Sequence, residues 1–378
     1  MKAYISREIL LFLILLNSLN IFADSTESVA DIKKTSIIYD ASWKASISNI
    51  QWENKTENAN NTGFKFSTKI DAKLSHRFDA FIKGNLRWAT ERSQKSINSG
   101  DKSGFYLDEV YLKFSPNDNI KLMAGAIDQG HLESPLLISE RSFPGLLEEV
   151  SFKNNILLGG IKASQAIPTS KSYDTVRASK EKTPTFFTET IFSTVGPFYD
   201  FKISSSVTHY RFKNLPSIVA YDSAFYGNSV IGTDSGTDSK FAFNFAGYSA
   251  LLQVDYSFSS QTKFLIGFQH IQNDLAPSAY NRGRRLFTEL QLGVGRDTIT
   301  PRYEIFFNES DTSPGYYNSS KYAHNNRKGF MAKIKYDFNK YGYSTSIQYV
   351  DSDIIQSNLF DQHEQSISIN LETMYASF

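Results

Sequence analysis

The chain contains no cysteine, which excludes a disulfide framework, a thiol nucleophile and thiolate ligation of a metal. Beyond residue 23 no apolar run approaches the about 18 residues that a membrane-crossing helix requires. Charge is almost balanced, with 40 Lys and Arg against 39 Asp and Glu and a formal net charge of +1. The electrostatic footprint of a nucleic-acid binder is therefore missing, and no nucleic-acid partner is expected. Chemical motifs are missing too. No G-x-S-x-G or H-E-x-x-H is present, and the six histidines (His76, His131, His209, His270, His324 and His363) are scattered, so no catalytic residue and no metal is assigned. Asp234 to Asp238 has the acidic spacing of a calcium loop but lacks its downstream glutamate. No cofactor is expected.

What is present begins with a leader. Lys2 and Arg7 precede the run Ile9 to Leu16, and a small residue stands at Ala23, the layout of a secretory signal peptide over residues 1–23. Residues 24–36 then read as a polar tail, and residues 37–378 as one continuous domain. That domain carries most of the 30 Phe and 21 Tyr.

Period-2 alternation recurs along the domain in segments about ten residues long. Phe64, Phe66, Thr68, Ile70, Ala72 and Leu74 alternate with Lys65, Ser67, Lys69, Asp71 and Lys73. Ala80, Ile82, Gly84, Leu86 and Trp88 alternate with Phe81, Lys83, Asn85 and Arg87, and Phe330 to Phe338 follows the same rule. Connections alternate in length. Tight ones fall at 75–79, 115–119, 153–155, 195–197, 258–261, 296–298 and 339–342, and long polar ones at 54–61, 91–103, 128–144, 164–183, 213–239, 273–284, 309–327 and 352–362. Strands with one apolar and one polar face, joined in this way, predict an all-β fold: a transmembrane antiparallel barrel of about 16 strands with short periplasmic turns and long extracellular loops.

The segment Phe105 to Phe114, the turn Pro116-Asn117-Asp118-Asn119, the strand Ile120 to Gly125 and the terminal Phe378 resemble a bacterial porin of the Gram-negative outer membrane. The resemblance implies a water-filled channel for passive diffusion of small hydrophilic solutes and ions. It also implies a homotrimer set among outer-membrane lipid and lipopolysaccharide, a periplasmic place for residues 24–36, and recognition of the strand ending at Phe378 by the barrel-assembly machinery. The third long loop, with Asp128, Glu133, Glu140 and Arg141, is then the candidate constriction. Facing it, Lys65, Lys69, Lys73, Lys83, Arg87 and Lys113 carry the polar parity and form a candidate basic wall. Basic residues outnumber acidic ones on that parity, which gives a mild preference for anions.

Other readings remain open: a substrate-specific channel, a surface receptor or adhesin built on Tyr221, Phe225 and Tyr226 of the fifth loop, and an outer-membrane enzyme with a triad assembled from distant residues, for example His270 with a serine of a neighbouring strand. Two positions break the pattern. Asp108 has outward parity among apolar neighbours, and Phe378 is out of phase with Ile367, Ile369 and Leu371, which calls for a bulge or an atypical assembly signal.

Overall fold

The computed structural model describes residues 38–55, 58–93, 103–169, 181–198, 200–232, 236, 238–357 and 362–377. The leader, the tail and Phe378 lie outside them. Sixteen antiparallel strands close into one barrel. In chain order they are β1 (Ile38–Asn54), β2 (Asn58–Lys73), β3 (Phe78–Ser93), β4 (Gly104–Asn117), β5 (Ile120–Asp128), β6 (Ser142–Lys153), β7 (Leu157–Ala166) and β8 (Thr185–Phe198). The second half comprises β9 (Phe201–Lys213), β10 (Ala246–Ser257), β11 (Thr262–Asn273), β12 (Arg282–Val294), β13 (Asp297–Asn308), β14 (Arg327–Phe338), β15 (Tyr343–Ile354) and β16 (Glu364–Thr373), which Ala376–Ser377 continues. No helix among the described residues is long and apolar enough to cross a membrane.

Each strand pairs with its sequence neighbours, and β16 pairs with β1 to close the seam, with Ile47 opposite Leu371. Closure leaves no edge strand to satisfy. The expected alternation decides which face is which. Leu86 and Trp88 are 50% and 57% exposed on the outside, whereas Asn85 between them is 3% exposed in the lumen. The tight turns are built by short polar side chains that cap backbone N–H groups. Asn154 Oδ1 accepts from the amides of Ile156 (2.9 Å) and Leu157 (2.7 Å), and Ser259 Oγ accepts from Gln261 and Thr262. At this end the outward positions carry paired rings: Phe78 with Phe114, Phe201 with Tyr256, and Phe338 with Tyr343, at centroid distances of 4.6, 4.4 and 4.4 Å. They form the aromatic girdle expected at a membrane interface.

Two expectations change, and a third resolves an open one. The first connection is not long: β1 runs to Asn54 and β2 resumes at Asn58, because Asn58 to Asn61 extend the ladder, Asn60 accepting at 2.8 Å from Asn49. Asp108 does not point outward. The register between β3 and β4 slips between Lys83, opposite Glu109, and Gly84, opposite Leu107. The extra residue in β4 is Asp108, whose carboxylate accepts from Asn85 Nδ2 inside the lumen. A bulge turns two consecutive side chains to one face, which a strict parity rule cannot anticipate. The last strand carries the other bulge. Ser46 faces Glu372, but Ser42 faces Ser377 and Trp43 faces Ala376, a slip of one residue at Thr373 to Tyr375. Thr373 Oγ1 takes the amide of Ala45 there at 3.0 Å. The slip puts Ala376 on the outward side with Trp43.

Candidate pore lining and constriction

The described parts of the long connections after β5, β9 and β13 (residues 129–141, 214–232 with 238–245, and 309–326) fold back into the loop end of the barrel. The first of them leaves β5 with a 3-10 turn, Gln129–Leu132, that Asp128 caps through Gly130 N at 2.9 Å. It then crosses to the far wall. Ser134 Oγ lies 2.9 Å from Ser249 Oγ of β10 and accepts from Gln269 Nε2 of β11 at 2.5 Å. The apolar stretch Leu136, Leu137 and Ile138, at most 2% exposed, packs against Phe143, Phe186, Tyr210, Phe212, Phe245, Ile271, Phe306, Tyr317, Met331 and Val350. Such a core inside a barrel is apolar surface removed from water, as in a soluble domain.

The loop after β9 adds the helix α1 (Ser217–Ala224), whose N-terminal amide at Ser217 donates to Glu181 Oε1 at 2.7 Å. Val219 and Ala220 enter the same interior. Tyr221, Phe225 and Tyr226, read from sequence as exposed aromatics, are placed mainly against the barrel's own loops: Tyr221 meets Phe225 edge-on and Tyr226 lies 4.2 Å from the ring of His324. Phe225 keeps an exposed face.

The loop after β13 is held by amide side chains instead of regular ladders. Asn228 Nδ2 donates to Ser310 O (2.7 Å) and Ser313 O (3.0 Å), and its Oδ1 accepts from Gly315 N at 2.6 Å. Asn308 and Asn318 both donate to Asn325 Oδ1 at 2.6 Å, while Asn325 Nδ2 donates to Ser313 O. Ser139 N donates to Tyr317 O at 2.8 Å and Ser319 N to Pro135 O at 3.0 Å, which ties the first inward loop to this one. Buried backbone groups without a ladder require such partners. Burial raises the Asp311 carboxyl above the usual range, against the opposing bonds from Ser229, Ser310 and Asn228. Burial, with the cations Arg141 and Arg327 nearby, pushes His324 down to about 3. Burial also lowers His131, whose Nδ1 lies 2.8 Å from Asp128 O.

Wall residues of this apolar core come from β6 to β9, β11 and β13 to β15; among the described residues none comes from β1 to β5 or from β16. The lumen face left uncovered is the basic one. Lys65 stands opposite Arg87 and Lys69 opposite Lys83 across the β2–β3 ladder, and Lys65 is within electrostatic reach of Lys44, Lys83, Arg87 and Asp108. Like charges face to face disfavour pairing unless countered. Counter-charges are supplied by Asp71 to Lys69 (2.9 Å), Glu109 to Lys83 (3.7 Å), Asp79 to Lys113 (2.6 Å) and Glu372 to Lys44 (2.6 Å). Lys73 lies at the turn end, exposed.

Of the loop residues singled out in the sequence, Asp128 and Glu140 flank Gly130, and Glu109 reaches Asp128. Glu133 and Glu140 are exposed, and Arg141 lies 5.1 Å over the ring of Tyr316. Of the inward loop's acidic residues, Asp128 thus meets the basic face through Glu109, which pairs with Lys83. Phe81, Phe287 and Phe306 also face the lumen and are at most 8% exposed.

Parity alone does not reveal the ion network on the opposite wall. Glu304, 1% exposed, receives Arg302 Nε at 2.6 Å, Tyr322 OH at 2.7 Å and Arg285 Nη1 at 3.4 Å. Arg302 also reaches Glu289 at 3.1 Å, and the Phe287 ring lies under both guanidinium groups. Its sequence signal was the i, i+2 charges of β13, Arg302 and Glu304, opposite Glu289 and Phe287 of β12. No group of three or more His, Asp or Glu that could hold a metal occurs among the described residues. His270 faces outward, opposite Ala250 and Arg284 in the ladders, not a serine.

No family model and no curated protein matches this chain. Solved structures do. The chain is similar to Pseudomonas putida OprB in a high-pH structure, with 10% identity and a TM-score of 0.58 over 90% of this chain and 94% of that one. It is also similar to a loop L8 deletion mutant of OmpT, an outer membrane protein of Vibrio cholerae, with 8% identity and a TM-score of 0.53 over 89% of this chain and 99% of that one. At these identities the likeness is one of fold.

Proposed function

From a chain with the fold of the outer-membrane porins, we propose a non-enzymatic, water-filled channel for small hydrophilic solutes and ions in the bacterial outer membrane. The observation that carries this reading is the one-sided seating of the inward loops. Their apolar core seals against β6 to β9, β11 and β13 to β15 and leaves a charged passage beside β1 to β5. Barrels of 16 strands are too wide for wall side chains alone to fill. The outward belt of Leu86, Leu112, Val150, Ile191, Leu252, Ile334 and Ile347, all at least half exposed, supports immersion in hydrocarbon.

Selectivity in this reading comes from the basic face, and it leans to anions. Lys333 faces the lumen without an ion pair among the described residues, so the passage keeps uncompensated positive charge there. The inward loop with Asp128, Glu133, Glu140 and Arg141 narrows the passage from the other side, and the loops after β9 and β13 brace it. A homotrimer, contact with lipopolysaccharide and delivery by the barrel-assembly machinery belong to the same reading and rest on the resemblance to porins.

The test is single-channel conductance and reversal potential of the mature protein in a planar bilayer under a salt gradient. Stepwise ohmic insertions with an anion-leaning reversal potential are expected. Folded, heat-modifiable protein that passes no current overturns the channel reading, and a cation-leaning potential overturns the role of the basic face.

A further inference from the structure

On β11 to β14 the outward face near the loop end carries a row of cations above outward positions that are apolar. Arg284 of β12 stands opposite His270 of β11 on one side and Phe307 of β13 on the other, and Phe307 stands opposite Lys328 of β14. Arg282 is the next outward position of β12. Arg282, Arg284 and Lys328 are exposed, and none makes an ion pair among the described residues. His270 lies within electrostatic reach of both arginines.

The height of this row follows from the strands. Lys328 stands ten positions (328 to 338) from Phe338 of the aromatic girdle. At about 3.3 Å per residue and a tilt of about 45°, that distance spans roughly 23 Å along the barrel axis, close to the about 25 Å apolar band of such barrels. The cations are thus at headgroup level, where their cost in hydrocarbon falls away. The next outward positions toward the turns are Phe268, Leu286, Ile305 and Phe330. Carboxylates bound the row without filling it: Glu309 accepts the Arg282 amide at 2.8 Å, and Asp353 stands opposite Lys328.

We propose that His270, Arg282, Arg284 and Lys328 form an outward clamp for the phosphate of a lipid headgroup in the leaflet at the loop end. The inference rests on the membrane-spanning reading above. Guanidinium groups bind phosphate oxygens in pairs of parallel hydrogen bonds, and the apolar residues just below receive the first carbons of the acyl chains.

The experiment counts lipids retained by the full mature protein in native mass spectrometry, and follows the heat-modifiability midpoint, in vesicles of phosphatidylcholine with or without lipid A as the phosphate-bearing glycolipid. Lipid A is expected to be retained and to raise the midpoint. Arg284→Gln with Lys328→Gln is expected to lower retention roughly fivefold per cation removed, whereas Lys340→Gln, at the turn end, leaves it unchanged. Equal retention by the double variant overturns the proposal. So does an equal rise given by inorganic phosphate alone in detergent, which would assign the row to a soluble ion. Retention with no conductance upholds the clamp and overturns the channel.

Discussion

Asn85 of β3 donates through Nδ2 to the carboxylate of Asp108 on β4, and this bond holds an acidic group inside the basic face of the lumen. Asn85 is itself fixed by Ser67 Oγ, which donates to its Oδ1 at 2.5 Å. Asp108 is therefore a built-in counter-ion for Lys65 and its neighbours.

Asp108→Asn keeps the shape and removes the charge. One unit charge at about 4 Å in water is worth about 1 kcal/mol, so the local anion concentration rises up to about fivefold. The expected outcome is a reversal potential displaced toward anions, with Lys65→Gln displacing it the other way. Equal potentials in a salt gradient for all three proteins would sink the assignment.

Leu137, fully buried, tests the seat of the first inward loop. Leu137→Ala is expected to lose about 2–5 kcal/mol from the loop core through lost contacts and a cavity. The wall ladders do not depend on it. Open-channel noise should rise while heat-modifiable barrel formation persists; a quiet channel would show that the core does not hold the loop.

A Cβ on Gly267 would lie 2.2 Å from Cζ of Phe287, and the guanidinium groups of Arg285 and Arg302 pack over that ring. Gly267→Ala is expected to lower stability by about 1–3 kcal/mol through overpacking. Phe287→Leu should recover part of the loss, giving a coupling energy in a double-mutant cycle of unfolding midpoints. Additive losses would mean the ring is free to swing away.

His324 binds its proton less readily in the folded loop, with its value pushed down from 6.5 to about 3. The unfolded loop thus takes up a proton first as pH falls. Stability is full above about pH 6.5 and is lost progressively toward pH 3. Hydrogen exchange of amides 309–326 should quicken over that window. His324→Gln should flatten the pH dependence; an unchanged slope would move the effect to His131, which burial lowers in the same direction.

Strand number, most turn positions and the lumen parity of Lys65, Lys69, Lys83, Arg87 and Lys113 were legible in sequence because period 2 and turn chemistry are local properties; the turn read at 195–197 lies instead after Phe198, which pairs with Phe201. Asp108 was misplaced for the same reason: parity counts residues, and a bulge changes the count. The terminal bulge left a trace, the misphased Phe378, because there the apolar pattern itself breaks. The polar loop 309–326 concealed its burial. Asn308, Asp311, Asn318 and Asn325 have the composition of a solvated loop, yet their side chains satisfy one another and the backbone. Nothing local distinguishes an asparagine bonded to water from one bonded to a carbonyl. Leu136-Leu137-Ile138 was the available signal, a buried-type triplet inside a loop.

Fifteen of the sixteen ladders join consecutive strands, and the sixteenth is the seam, where Ile47 meets Leu371 across 324 positions (47 to 371). Closing a flexible loop of that length costs about 5 kcal/mol of chain entropy, and local hairpins are the only elements that shorten it. The seam is therefore the latest and most non-local event in assembly. A lesion in β1 or β16 should slow closure while the other hairpins still form. Until that step, β1 and β16 expose unpaired edges, so the interval before closure is when the chain is most vulnerable to edge-to-edge aggregation.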